Sequence, residues 1–131
     1  MTQSPSVNNK AIVAKVNAAF AAGSTEGFLA CCADDVAWTM VGDTTVHGKD
    51  AIRQWMASMG CIEPPQLTVH NVIAEGDFVT AYGDMTMKDK DGAVVPYAYC
   101  DIYHFRGDTI VELRAFVIQT EAKSQTSQGT A

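Results

Sequence analysis

The sequence has 131 residues, a formal net charge of -6 at pH 7 and an apolar fraction of 47%. This length suits one domain that is large enough to bury a hydrophobic core. The chain is acidic and its nine Lys and Arg residues are scattered, whereas a nucleic-acid or anionic-membrane surface needs clustered cations. We therefore expect neither a nucleic acid nor a membrane as a partner.

The first ten residues lack the basic and then apolar layout of a signal peptide, and no apolar run approaches the roughly eighteen residues of a membrane span. A cytoplasmic location is the expectation. Cys31, Cys32, Cys61 and Cys100 form no C-x-x-C pair and have no histidine at zinc-ligand spacing. We interpret them as buried reduced thiols, and we expect neither a metal nor another cofactor.

Two helices are predicted before any strand. Residues 1–7 are expected to form a flexible arm, residues 8–120 one domain and residues 121–131 a flexible tail. Apolar residues at helical spacing predict a first helix that starts at Asn8 or Asn9 and is ended by Gly23. Ser24 is then placed to cap a short second helix that runs through Cys32.

Strands and one more helix follow. Period-two patterns predict strands from Val36 to Val41 and from Thr44 to His47. A third helix opens after Gly48, with an apolar stripe of Ile52, Trp55, Met56 and Met59, and Gly60 as its stop. Four further strands are predicted, at Gln66 to Glu75, Phe78 to Lys88, Val94 to Phe105 and Thr109 to Gln119, joined by turn-forming Gly and Asp residues.

This order of elements predicts an α+β domain. A strongly curved, mostly antiparallel sheet would have the N-terminal helices closing one side of it. Such an arrangement leaves a conical hollow, which is a common type of small-ligand pocket.

The long strand near residue 100 carries one acid among aromatic residues. Alternation places Tyr97, Tyr99, Asp101, Tyr103 and Phe105 on one face. If that face is interior, desolvation raises the pKa of Asp101, while hydrogen bonds donated by tyrosine hydroxyls lower it. Asp101 is therefore either a site residue or a well-satisfied structural acid.

The hairpin at Asp91-Gly92 suggests which residues oppose Asp101. A two-residue and a four-residue turn give the same parity, which places Tyr82, Asp84 and Thr86 on the face of Asp101 unless a bulge intervenes. Asp84 would then be a second carboxylate near Asp101, as in a general acid and base pair. The alternative is an ionised, solvated Asp84 at the rim.

Two further positions stay open. A simple turn at Gly107-Asp108 would place Arg114 opposite Asp101 as an ion pair, whereas a one-residue bulge would turn Arg114 outward and place Leu113, Ala115 and Val117 inside. His47 either hangs over the mouth of the hollow as a titrating group or is a hydrogen-bonded structural histidine.

Several segments together resemble one superfamily. They are Cys32-Ala33-Asp34-Asp35-Val36-Ala37-Trp38, Val46-His47-Gly48-Lys49-Asp50-Ala51-Ile52, the Gly76-Asp77 turn, Asp101-Ile102-Tyr103-His104-Phe105-Arg106-Gly107, Ile110, and Glu112-Leu113-Arg114-Ala115-Phe116. This pattern, over about residues 8–120, resembles the SnoaL-like branch of the nuclear-transport-factor-two and ketosteroid-isomerase superfamily. The resemblance implies a cone-shaped pocket and a homodimer formed through the outer face of the sheet, but fold alone does not name an activity.

The resemblance also allows single residues to be compared. Met40 stands at the position of the general base of ketosteroid isomerases, Val16 at the position of their helix tyrosine, and Asp101 at the position of their oxyanion-hole acid. In the comparison with limonene-epoxide-hydrolase-like enzymes, Tyr99 stands at the position of the arginine, Asp101 at that of the first acid and Ala115 at that of the last acid. Classical steroid isomerisation is therefore not expected, because a thioether cannot abstract a proton.

The hypothesis from sequence is a cofactor-free cyclase, isomerase or hydrolase that acts on a small, apolar and cyclic molecule. Asp101 would be its acid or base, with Asp84 and Tyr99 as further catalytic candidates. The expected pocket residues are Val16, Trp38, Met40, His47, Trp55, Met56, Tyr82, Tyr97, Tyr103, Leu113, Ala115 and Val117. The alternative is a ligand-binding or dimerisation module without catalysis.

Overall fold

The structure is a computed structural model that describes residues 5–58, 64–89 and 91–120. Its elements in chain order are α1 (Pro5–Ala21), α2 (Thr25–Leu29), β1 (Cys32–Met40), β2 (Thr44–His47), α3 (Lys49–Ser58), β3 (Gln66–Glu75), β4 (Phe78–Lys88), β5 (Val94–Arg106) and β6 (Thr109–Gln119). None of the described helices is both long and apolar enough to cross a membrane.

The start of α1 and the end of α2 differ from their predicted positions. Helix α1 begins at Pro5, within the expected arm, and Asn9 is not its cap but a buried residue inside it. The predicted cap of α2 is confirmed, because the amide of Gly27 donates to Ser24 Oγ at 3.0 Å. Helix α2 ends at Leu29 rather than Cys32, and Cys32 already begins β1. The predicted end of the third helix, at Met59 and Gly60, lies outside the described residues.

One curled, unclosed sheet contains all six strands in the order β2-β1-β6-β5-β4-β3. Strands β1 and β6 are parallel, and every other neighbouring pair is antiparallel. The predicted bounds of the last four strands are confirmed, with β5 longer by one residue at its end. Glycines with positive φ, such as Gly76 (58°) and Gly107 (68°), form the tight turns between them.

The core lies between the sheet and the helices. We call the sheet surface that carries Trp38, Ala81, Asp101, Tyr103 and Leu113 the inner face. Apart from Asp101, these residues belong to one buried cluster that also includes Val13 and Val16 of α1. The Trp38 ring contacts those of Phe20, Phe28 and Trp55 at centroid distances of 5.2 to 5.7 Å, and the Phe20 ring lies 5.1 Å from that of Phe28. The predicted α+β cone is thus confirmed.

Candidate active site

Asp101 lies in the middle of the inner face with small residues on both sides. Its partners across the sheet are Ala81 on β4 and Ala115 on β6, and Met40 on β1 pairs with Ala115. Directly opposed residues share a face, so these side chains form one row across the sheet. The alanine side chains are small and supply neither a charge nor a hydrogen bond to the Asp101 carboxyl.

A bulge determines this register. The pairing of β5 with β6 shifts between His104 and Phe105, so Ile102 rather than Asp101 opposes Arg114. Of the two arrangements left open by the sequence, the bulged one is therefore correct. Arg114 is exposed on the opposite surface, where its guanidinium carbon lies 5.9 Å from the centroid of the Phe116 ring. Asp101 has no ion pair with Arg114.

The environment of Asp101 favours its protonated form. Burial raises the pKa of Asp101 from 3.8 to about 7, because removal from water disfavours the carboxylate. The residue is nevertheless only half-buried, so part of its surface faces open space rather than packed atoms. At neutral pH the carboxyl can therefore be present in both protonation states, as an acid that donates and a base that accepts.

Tyr99 and Tyr103 stand on either side of Asp101 along β5. Burial first, and then the nearby Asp101 charge, raises the pKa of Tyr99 to about 12 and that of Tyr103 well above its ordinary value. Both phenols thus keep their protons at neutral pH. Both hydroxyl oxygens are buried without a hydrogen-bond partner, so neither hydroxyl donates to Asp101.

Asp84 and Tyr82 are not on the face of Asp101. The register pairs Tyr82 with Cys100 and Asp84 with Ala98, which places both on the opposite surface, the outer face. The predicted parity is wrong because the connection between the paired residues Lys88 and Val94 contains five residues, an odd number. Asp84 is exposed, and its Oδ2 lies 2.8 Å from Nε2 of His70, within hydrogen-bond distance.

Other predicted pocket residues fall into three groups. His47 is exposed and opposes Ala37, whereas the inner-face residue Trp38 opposes Val46, so His47 lies on the outer face rather than over the hollow. Val16 is fully buried, and Trp55 and Met56 are half-buried against the core. The inner-face positions are occupied by Trp38, Met40, Tyr97, Tyr103, Leu113, Ala115 and Val117.

Two asparagines of α1 were not recognised as site candidates from the sequence. Asn9 is 1% exposed and Asn17 is 8% exposed, and side-chain atoms of both are buried without a hydrogen-bond partner. The available signal was their spacing from Val13, four residues on each side, which places all three on one helix face. The sequence instead predicts Asn8 or Asn9 as the helix cap.

The thiols belong to the packing of the domain. Cys31, Cys32 and Cys100 are free; Cys32 is buried and the other two are half-buried. The Cys32 thiol donates to the carbonyl oxygen of Phe28 at 3.3 Å, and burial raises its pKa to about 12. Within the described ranges no group of three His, Cys, Asp or Glu residues is arranged to hold a metal ion. Cys61 lies outside those ranges.

A curled, unclosed sheet covered by helices is the architecture of nuclear-transport-factor-two-like proteins. The chain belongs to the family of SnoaL-like domains, whose family model matches residues 13–113. Among curated proteins, none matches the chain significantly.

Solved structures support the same fold. A nuclear-transport-factor-two-like protein of unknown function from Cytophaga hutchinsonii is 26% identical, with a TM-score of 0.68 over 83% of this chain and 98% of its own. An LEH-like epoxide hydrolase from M. tuberculosis is 16% identical, with a TM-score of 0.76 over 87% of this chain and 85% of its own. A similar protein from Burkholderia pseudomallei, of unknown function, is 21% identical, with a TM-score of 0.75 over 82% and 88%.

Proposed function

We propose that this SnoaL-like domain is an enzyme that transfers protons on a small, uncharged cyclic molecule, with Asp101 as the acid and base. The observation that carries the proposal is the position of Asp101 between Ala81 and Ala115. There, burial brings its pKa to about 7. A carboxyl with such a pKa can take a proton from a carbon next to a carbonyl and return it elsewhere.

The rest of the row favours reactions that need one carboxyl group. Met40 and Ala115 stand at the two positions where the resemblance implies a second acid in isomerases and epoxide hydrolases. A single acid can serve an isomerisation or a cyclisation, in which one group both removes and returns the proton. Tyr99 and Tyr103 can stabilise a developing oxyanion, because both phenols stay protonated at neutral pH. Such chemistry requires neither a metal nor a nucleotide.

The test is turnover by the wild type and by Asp101→Asn over a panel of enones, epoxides and polyketide-like compounds. Asparagine keeps the size of the side chain but cannot transfer a proton, so the rate should fall by about 100-fold or more. Asp43→Asn, which removes an exposed carboxyl in the turn after β1, is the matched control for the loss of one charge. Unchanged turnover by Asp101→Asn would refute the role of Asp101.

A second candidate function is ligand binding without catalysis. It is favoured by the absence of a second carboxyl in the Asp101 row of the described sheet. Mass spectrometry of compounds that co-purify with the chain separates the two candidates. An intact compound that the protein retains and does not convert favours binding, whereas conversion that depends on Asp101 favours the enzyme.

We further propose that the outer face pairs with a second copy of the chain. Ile118 (65%), Ile73 (53%) and Phe78 (48%) are strongly exposed there. An open depression of about 410 Å³ lies beside Tyr82 and Ile118 on the same face. Apolar surface of this kind favours association. A cytoplasmic homodimer is also consistent with the three free thiols of the described residues.

Light scattering after size exclusion tests this pairing. The wild type should elute with the mass of two chains, and Ile118→Lys should elute as one chain because a charge would be buried in the interface. Val41→Lys is the matched control, because Val41 is an exposed apolar residue beyond the end of β1. A monomeric wild type would refute the dimer.

A further inference from the structure

The depression on the outer face contains a paired acid and imidazole. Most of its lining is uncharged and includes Tyr82, Phe116 and Ile118. Asp84 and His70 also line it, and Oδ2 of Asp84 lies 2.8 Å from Nε2 of His70. Their side chains are 63% and 48% exposed, so both are in contact with water in the single chain. A second copy that covers this face would remove the pair from water.

A bulge in β3 brings the histidine to the acid. The pairing of β3 with β4 shifts between Val69 and Asn71, so His70 is the extra residue of a β-bulge. Bulges redirect a side chain locally, and here the imidazole reaches Asp84. Gly83 permits the close approach of the two strands, because a Cβ there would lie 2.9 Å from the amide nitrogen of His70. The backbone of both strands therefore fixes the histidine beside the acid.

The cost of enclosing Asp84 depends on the protonation of His70. A carboxylate buried without a partner is strongly disfavoured, whereas a carboxylate that is paired with a cation and hydrogen-bonded is tolerated. A neutral imidazole offers only a hydrogen bond, but a protonated imidazole offers a hydrogen bond and a positive charge. A second copy can therefore cover this face more easily when His70 holds a proton.

His70 is the group at this place that can respond to pH near neutrality. Strand β3 packs against β4 and α1. Besides His70 and Asp84, the ionisable residues of these three elements are Glu75, Tyr82, Lys88, Lys10 and Lys15. Among these residue types only histidine ordinarily changes its charge between about pH 5 and 8. Cys100 of β5 also lines the depression, and burial raises the pKa of its thiol, which stays neutral in that range.

We propose that the pairing of two copies through the outer face takes up a proton at His70 of each copy, so that the dimer is tighter in mildly acidic than in alkaline solution. This inference rests on the pairing proposed above and adds its regulation by pH. In the dimer, Asp84 of each copy is enclosed as the partner of a protonated His70.

Sedimentation equilibrium of the intact chain tests the pH dependence. The dimer Kd is measured at fixed ionic strength at an acidic pH of about 6 and an alkaline pH of about 8.5, on either side of the usual histidine range. The Kd should be about tenfold lower at the acidic pH, because each dimer then contains two charge-assisted hydrogen bonds in place of two neutral ones. A dimer whose Kd is equal or higher at the acidic pH would overturn this inference alone. A chain that is monomeric at both pH values would refute the pairing as well.

Histidine variants locate the proton. His70→Gln keeps a hydrogen-bond donor near Asp84 but cannot take up a proton, so it should remove most of the difference in Kd. His47→Gln and His104→Gln change outer-face histidines that do not line the depression, and both should retain the difference. A difference that persists in His70→Gln would overturn the inference.

Asp84→Asn separates the local pair from general effects of charge. An amide needs no counter-charge when it is enclosed, so this variant should dimerise at the alkaline pH about as tightly as the wild type does at the acidic pH. Asp43→Asn removes an exposed carboxyl in the turn after β1 and should leave the alkaline Kd unchanged. The pKa of Asp101 is also near neutral, at about 7, but Asp101 lies on the inner face, so Asp101→Asn should keep the full pH dependence. Unchanged or weaker pairing by Asp84→Asn would show that Asp84 is not enclosed, and would overturn the inference.

Discussion

Replacement of Asp101 by Asn should stabilise the folded protein at neutral and alkaline pH. In the folded chain burial raises the pKa of Asp101 from 3.8 to about 7. Between these values the unfolded chain has lost the proton and the folded chain still holds it, so the free energy of unfolding falls as pH rises. At about pH 8 the accumulated loss is at most about 4 kcal/mol, because one pKa unit corresponds to about 1.4 kcal/mol. Asn carries no such penalty.

Urea unfolding of the two proteins across pH measures this difference. The stability of Asp101→Asn relative to the wild type should grow from below about pH 4 to above about pH 7 and then level off. The exposed Asp43→Asn variant controls for the change in net charge. Carbon NMR of the carboxyl group gives the pKa directly. A stability difference that does not change with pH would refute the argument that Asp101 is desolvated.

Three smaller changes test the local structure. Gly83→Ala should destabilise the domain by at least about 3 kcal/mol in urea unfolding. The added Cβ would lie 1.9 Å from the carbonyl oxygen of Thr68, a backbone atom of the paired strand. An equally stable variant would contradict that close approach. Ser24→Ala should cost about 1 kcal/mol through loss of the α2 cap, and Ser24→Asp should restore it in the same assay. Arg53→Met, which breaks the exposed ion pair with Glu26, should change the urea midpoint only slightly, and added salt should make the change smaller still.

Local signals were sufficient for the bounds of the last four strands and for the cap of α2, but not for the start of α1 or for β1, which begins at Cys32 rather than Val36. Hairpin turns in this chain are marked by glycines that need positive φ, as at Gly76 and Gly107, and the four strands around them were predicted to within one residue. Ser24 identified the start of α2 for a similar reason, since a cap is a property of a few neighbouring residues. Turns and caps depend on chemistry that lies within one short window of sequence.

The start of α1 and the burial of its polar residues were not accessible in this way. Asparagine is a residue type that favours the N-cap position. A prediction based on helical periodicity therefore places the start of the helix at a polar residue such as Asn9. The burial of Asn9 inside α1 depends on packing against the sheet. Val13 of α1 and Tyr103 of β5 belong to the same buried cluster, although they are distant in sequence. Tertiary packing overrides the local preference here.

Strand register had the largest consequence for the site. The odd number of residues between Lys88 and Val94 moves Asp84 to the outer face, and the bulge near Phe105 moves Arg114 there as well. Each shift is one residue, and each changes the face on which a charged group lies. Composition alone does not distinguish an odd connection from an even one when Asp and Gly occupy several loop positions.

These two shifts determine what Asp101 can do. If Asp84 lay on the same face as Asp101, the two carboxyls would resemble an acid and base pair. If Arg114 lay opposite Asp101, it would hold Asp101 as a carboxylate that could not donate a proton. Instead, Asp84 and Arg114 both lie on the outer face. Asp101 is paired with two alanines, and its pKa is about 7. One carboxyl that exchanges its proton near neutral pH suits a reaction in which the proton removed in the first step is returned in the second. Isomerisation and cyclisation meet that condition, whereas hydrolysis needs a further group to activate water.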